Sequence, residues 1–286
     1  MLKTIIFRFE NVILNDEYLQ FKIYEKLWHY LRQDPAWSDF ETVLKLREYY
    51  VSEQRTTSVY PAIAIRYLSA RSRIRFEQDV RLFLEKQSRF YLRILPGILP
   101  IVRNLKYYYK IVLIAQPGSL YKEADRKYHF NRLFQFTFLL EKTADLSLFH
   151  NYLQNIIQKT RSSEKETLLI SGHIYPDLMV AAQSGIITLQ ISFDPKTRGF
   201  QPQSYLEWQY YHSLTRLYKQ KKGNLPGRIK MDAYATNSSE VSNAISNLER
   251  MGVHTPTDEP STGPGNVTFW DLAREVFNTP GPPEEK

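Results

Sequence analysis

The sequence contains no cysteine among its 286 residues. That excludes disulfides, thiolate metal sites and a cysteine nucleophile, and it fits a reducing compartment. No apolar run reaches the roughly 18 residues that a membrane-spanning helix needs, so no membrane insertion is expected. The first residues run straight into an apolar segment without the charged-then-apolar layout of a secretory leader, and the expected location is cytoplasmic. Common phosphate and metal signatures are missing too: there is no GxxxxGK[ST], no GxGxxG and no HExxH, and the six histidines show no ligand spacing. No internal repeat is visible.

What is present is an ordinary globular composition, 43% hydrophobic and 24% charged, with 20 tyrosines and 16 phenylalanines, many of them set among lysines and arginines. The net charge of +8 is uneven. Residues 1–199 carry 29 Lys and Arg against 20 Asp and Glu, whereas residues 251–286 carry 2 against 6. Charge alone specifies little, so a solvated basic surface is preferred to nucleic-acid binding. The aromatic-basic stretches Leu105 to Lys110 and Tyr218 to Lys222 read as half-buried helix flanks before they read as base-stacking platforms.

The chain opens on Ile5-Ile6-Phe7-Arg8-Phe9-Glu10-Asn11-Val12-Ile13, an apolar run that ends in polar residues, as a strand buried on both faces does. Residues 16–94 follow helical spacing with no strand alternation. Asn15 or Asp16 can cap the first helix, Pro35 breaks it, a second spans about 37–52, Pro61 starts a third, and a fourth is expected over about 73–94. After the Pro96-Gly97 turn come a short amphipathic helix and a buried strand, Tyr109 to Ala115, ending in Gln116-Pro117-Gly118-Ser119. Further strands are expected at 134–140, 167–171 and 186–191, separated by helices. This βαβ order implies a parallel, doubly wound α/β sheet, complete by residue 193. Beyond it lie an aromatic helix over 205–220, a loop over 224–237, and a helix over 238–251 capped by Ser238. A Pro/Gly/Ser/Thr-rich linker and a short amphipathic helix over 267–277 end the chain. The organisation expected is a core of residues 1–14 and 95–200, an all-helical cap of 15–94, a helical extension of 201–251 and a flexible tail of 252–286.

Four stretches, in order, resemble the motifs of the haloacid dehalogenase-like (HAD) phosphatases. The first is Phe7 to Ile13, in the frame of that family's Asp-x-Asp strand end. The second is Leu95 to Pro100 with the strand ending at Ala115-Gln116. The third is Glu141-Lys142-Thr143-Ala144-Asp145, and the fourth is Gly172-His173 to Asp177 with the helix and Gly185 after it. A helical insert after the first strand matches the position of that family's cap. The resemblance covers residues 1–195 and implies a HAD-like Rossmannoid core. In the family one Asp is phosphorylated, a second acts as acid, Ser/Thr and Lys hold the phosphoryl oxygens, and carboxylates hold Mg²⁺. Here Arg8 stands at the nucleophile, Glu10 at the acid, Ala115 at the Ser/Thr and His173 at a metal-binding Asp. Gln116 follows Ala115, Lys142 is one residue out of register, and Asp177 alone keeps its carboxylate.

The expectation is therefore a catalytically inactive, degenerate relative with no catalytic residue and no metal site, Mg²⁺ binding being lost. Arg8 is expected to fill the vacated space and pair with Asp177, Glu10 or both. The protein would serve as a binding, scaffold or regulatory factor for another protein, through Tyr205, Trp208 and Tyr211 and through Phe269, Trp270, Leu272, Val276 and Phe277. Two alternatives stay open: a HAD-like hydrolase of altered chemistry using Glu10 or Asp177, and a nucleic-acid-binding protein using the basic body.

Overall fold

The apolar strand at the start of the chain sets the architecture. In the computed structural model, which describes residues 1–54, 59–117, 119–140, 146–223 and 231–251, every residue of β1 (Thr4–Arg8) is buried. Side chains alternate across a strand. Ile5 and Phe7 thus join one apolar layer with Leu113, Leu168 and Ile170, and Ile6 joins the opposite layer with Val112, Ile114, Leu169 and Phe149.

The chain then leaves through β2 (Leu14–Asn15) into the cap helices α1 (Glu17–Leu31), α2 (Phe40–Gln54), α3 (Tyr60–Tyr67), α4 (Ala70–Lys86) and α5 (Ser88–Tyr91). It returns through β3 (Arg93–Ile94), which pairs antiparallel with β2, so exit and re-entry share one ribbon. Next come α6 (Ile98–Leu105), β4 (Lys110–Ala115), α7 (Ser119–Tyr128), α8 (Phe130–Leu133), β5 (Phe136–Leu139) and α9 (Leu146–Thr160). The chain crosses back to β6 (Thr167–Ser171), makes a π-helical turn over Ile174–Leu178, and runs through α10 (Met179–Gln183) and β7 (Ile187–Ile191). It ends with α11 (Tyr205–Gly223), β8 (Ala233–Ala235) and α12 (Ser238–Arg250). The sheet order is β5-β4-β1-β6-β7-β8, all parallel. The chain passes from β1 to β4 and β5 on one side and then crosses over to β6 on the other, which puts the carboxyl end of β1 at the switch point where open α/β sheets place their sites.

Several local expectations are corrected. The fourth cap helix does not run from 73 to 94. It spans α4, capped by the Ser69 hydroxyl, and stops at Gln87; the single turn α5 follows before the chain turns extended at Leu92 and pairs β3 with β2. Phe90, within the expected span, is exposed. At the first cap helix the structure selects between the two expected candidates: Asn15 accepts from Glu17 N at 3.2 Å, and Asp16 makes no side-chain cap bond. At α12 the cap is Asn237, not Ser238, with its side chain accepting from Glu240 N at 3.0 Å.

The largest difference lies in residues 201–251, expected to be helical with a loop over 224–237. The sheet is not complete at 193: Ala233–Ala235 adds a sixth strand beside β7. Ala-Tyr-Ala has no β-branched run to announce it. Its register comes from the neighbouring strand and from Asp232, whose carboxylate accepts from Thr188 N at 2.8 Å and Thr188 Oγ1 at 2.9 Å. Behind it α12 buries Val241, Ala244, Ile245 and Leu248. The preceding helix α11 lies against α2 and α1 of the cap. Arg216 on α11 grips Glu48 on α2 with Nε 3.0 Å from both carboxylate oxygens and Nη2 2.8 Å from one. Arg198, in the link before α11, pairs with Glu17, and its carbonyl accepts from the Asn15 side chain. The chain thus goes from core to cap and back to core.

Candidate functional site

β1, β4 and β6 end side by side, so Arg8, Ala115 and Ser171, the last residue of each, line up along the carboxyl edge of the sheet. Arg8 is only 2% exposed. Its Nε lies 3.0 Å from Glu10 Oε2 and 3.4 Å from Asp177 Oδ2. The guanidinium therefore fills the end of β1 and pairs with both carboxylates, as its burial requires. These are contacts of charge more than of hydrogen-bond geometry: neither Nε nor Nη1 makes a hydrogen bond among the described residues.

Each carboxylate is also held from its other side. Asp177, 1% exposed, accepts from Ser171 Oγ at 2.7 Å, and that hydroxyl in turn accepts from His173 N at 3.0 Å. Glu10 accepts from the backbone N–H of Gln116 at 2.8 Å, which ties the turn after β1 to the turn after β4. Phe9 N donates to Ile114 O at 2.7 Å, so β1 keeps its partner one residue past its end and delivers Glu10 to that amide.

Asn11 turns the chain in the left-handed region at φ 62°, which Asn tolerates better than most residues. Its Nδ2 sits 2.9 Å from His173 Nε2. A Cβ on Gly172 would come within 3.0 Å of the Asn11 Cβ, so the glycine permits the two turns to touch.

Six of the seven expected site positions, Arg8, Glu10, Ala115, Gln116, His173 and Asp177, therefore meet at one edge, while Lys142 lies outside the described residues. Ala115 is fully buried and its methyl group can make no hydrogen bond. Two residues that hold the site, Ser171 and Asn11, escaped sequence reading. Asn11 was findable, since an Asn just past a strand end signals a left-handed turn. Ser171 carried no signal, because its role depends on where Asp177 lands six residues later.

The expected partner face divides. Tyr205 and Trp208 are 76% and 49% exposed, whereas Tyr211 is half-buried. Trp208 packs edge-on against Tyr211 at 5.9 Å between ring centroids. The buried face of α11 is instead Tyr210, Ser213, Leu214 and Leu217. Phe269, Trp270, Leu272, Val276 and Phe277 lie outside the described residues.

No protein-family model matches the sequence, and no curated protein matches it either. Solved structures do. A HAD hydrolase from Bacillus subtilis, crystallised with magnesium, aligns at 16% identity with a TM-score of 0.52, over 85% of this chain and 97% of that one. A haloacid dehalogenase-like hydrolase from Bacteroides fragilis aligns at 13% identity and 0.52, over 84% and 100%. A third, from Streptococcus pneumoniae, aligns at 13% identity and 0.50, over 85% and 98%. This chain has the haloacid dehalogenase-like fold. At these identities the likeness is one of fold alone.

Within that HAD-like fold the chemistry of the edge belongs to this chain's own residues. Among the described residues no three His, Asp or Glu side chains converge as a metal cage. The two carboxylates nearest the end of β1 already face a buried guanidinium, and a divalent cation there would meet that charge at close range. No helix among the described residues is long and apolar enough to cross a membrane.

Proposed function

We propose that this HAD-like protein carries out no phosphoryl transfer and acts as a binding or scaffold factor for another protein. The observation behind this reading is the Arg8 cluster. A nucleophile must offer a lone pair, and a guanidinium at neutral pH has none. The two carboxylates that could substitute for it, Glu10 and Asp177, are both paired to Arg8 and anchored by Gln116 N and Ser171 Oγ. A hydrolase using Glu10 or Asp177 would first have to break those contacts. Loss of Mg²⁺ binding follows from the same charge arrangement.

The cap supports the reading in a second way. The magnesium-bound B. subtilis protein reveals interdomain movement. Here α11 packs on the cap while β7 before it and β8 after it belong to the core sheet. Such bracing suits a fixed surface better than an opening cleft. Tyr205 and Trp208 stand on that bracing helix, and exposed Tyr and Trp are the anchors that protein interfaces favour.

Two measurements test the proposal. Purified protein with Mg²⁺ and a generic aryl phosphate ester should release no phosphate above a heat-denatured control; turnover abolished by Glu10→Gln or Asp177→Asn would overturn it. Affinity capture should lose specific partners when Tyr205 and Trp208 are both changed to Ala, and a chain ending at residue 265 tests the tail separately. Retention of every partner by all these variants would remove the proposed contact surfaces.

A further inference from the structure

A second polar site lies beside the Asn11 turn, in a cavity of about 60 Å³ between the base of the cap and α11 that the paired Glu17 and Arg198 also line. Its polar walls include Arg47 from α2 and Asp16 and Gln20 from the start of the cap; Val51, Leu214 and Leu217 make it apolar elsewhere. Two of these walls come from α11, in the part of the chain beyond the motif resemblance.

Arg47 is the unusual member. It is 3% exposed, and neither its Nε nor its Nη1 has a hydrogen-bond partner among the described residues. Its guanidinium lies over the rings of Tyr24 and Tyr210, 5.3 and 4.9 Å from their centroids. Those rings support a cation through their faces. The carboxylates in the neighbourhood are committed elsewhere. Glu48 is gripped by Arg216, and Glu17 takes Arg198 on one oxygen and the Tyr210 hydroxyl on the other at 3.0 Å. A buried donor left unanswered costs about 1–3 kcal/mol, and more when charged.

The same cavity holds the opposite need. Gln20 donates to Asp16 Oδ2 at 3.1 Å, but its own Oε1 is buried without a partner. Asp16 supplies a carboxylate beside it. A simple anion would satisfy Arg47 and be repelled by Asp16, and a simple cation would do the reverse. A molecule carrying both charges a few ångströms apart answers both. At about 10–15 Å³ of cavity space per water, the site takes roughly four to six waters, which limits such a molecule to about five heavy atoms.

We infer that this cavity is a binding site for a glycine-sized α-amino acid zwitterion, its carboxylate on Arg47 and its ammonium on Asp16 and Gln20 Oε1. The inference does not rest on the proposed function and survives its failure, since it uses no residue of the Arg8 edge.

Saturation-transfer NMR on the full-length protein tests it, with glycine as probe and propionate and methylamine as single-charge controls. Glycine should give a saturable signal, and the two controls should not. Arg47→Lys keeps the charge but loses the planar fork, and should weaken glycine by about tenfold, one charge-assisted hydrogen bond's worth. Val51→Phe fills the space without touching a polar group and should abolish the signal while the circular dichroism spectrum is retained, which keeps the test sound if the Arg47 variant fails to fold. No glycine signal from wild-type protein, an equal signal from either control, or an unchanged signal in Val51→Phe would each overturn the inference and leave a cavity for water only.

Discussion

Replacing Arg8 by Met asks whether the cation at the end of β1 is structurally required. Arg8 and Asp177 are 2% and 1% exposed, 3.4 Å apart between Nε and Oδ2. At an effective dielectric of about 20, charges at that separation attract by about 5 kcal/mol, and the cost of removing both from water offsets much of it. Removing only Arg8 forfeits the attraction while leaving the desolvated carboxylate, with Ser171 Oγ as its remaining neutral donor. Arg8→Met should therefore destabilise the protein by about 3–4 kcal/mol. Asp177→Asn alone strands the guanidinium with the more exposed Glu10 and should cost about 2 kcal/mol. The double variant leaves only the partly exposed Glu10 without its cation, so the cycle should show a coupling of about 2 kcal/mol or more. Urea unfolding near neutral pH measures all four proteins. Because the pair is buried, moderate salt should change the coupling little. A single Arg8→Met cost under about 1 kcal/mol, or two singles that simply add within about 0.5 kcal/mol, would refute the claim that these charges hold each other.

Other expectations follow from the same kind of reasoning. Burial first and the charge of Glu17 second push the Asp16 carboxyl up from 3.8 to about 6. The folded state thus binds this proton more tightly than the unfolded chain. Its contribution is fully present below about pH 4 and is lost as pH rises through 6. Asp16→Asn should accordingly stabilise the protein by about 2 kcal/mol above pH 7, after subtracting the weakened Gln20 contact, and the gain should vanish near pH 4 in thermal melts at stepped pH. Asp232→Ala removes the carboxylate that meets Thr188 N and Oγ1; it should cost about 2 kcal/mol and speed hydrogen exchange in β8 and α12 while β1 stays protected. Arg216→Met breaks a bidentate but partly exposed pair with Glu48 and should cost about 1 kcal/mol, read as faster exchange in α2 and α11. Gly97 sits at φ 78°, where Ala would be strained and its Cβ would lie 3.2 Å from that of Ser238, so Gly97→Ala should lower stability by about 1–2 kcal/mol.

The sheet was legible because its strands are buried on both faces. Continuous apolar runs such as Ile111 to Ala115 and Thr167 to Ser171 need no partner to be recognised, and turn residues bracket them. The site edge was legible for a related reason. A strand end is a position in sequence, so Arg8, Ala115 and the approach to Asp177 could be placed before any contact was known. Strand β8 was not legible, since Ala-Tyr-Ala becomes a strand only when β7 and Asp232 offer it a place. The buried face of α11 was not legible for the same reason: both sides of that helix are aromatic, and only the cap surface opposite it selects Tyr210 over Tyr205.

The order of residues by itself determined the parallel core, the helical insertion after β1 and the positive charge at the end of that strand, because each follows from local pattern and covalent sequence. Tertiary structure alone decided which carboxylates meet Arg8, that α11 ties the cap to the core, and that Arg47 and Gln20 share one cavity. Those facts depend on side chains up to nearly two hundred residues apart, and no short-range spacing rule reaches across that distance.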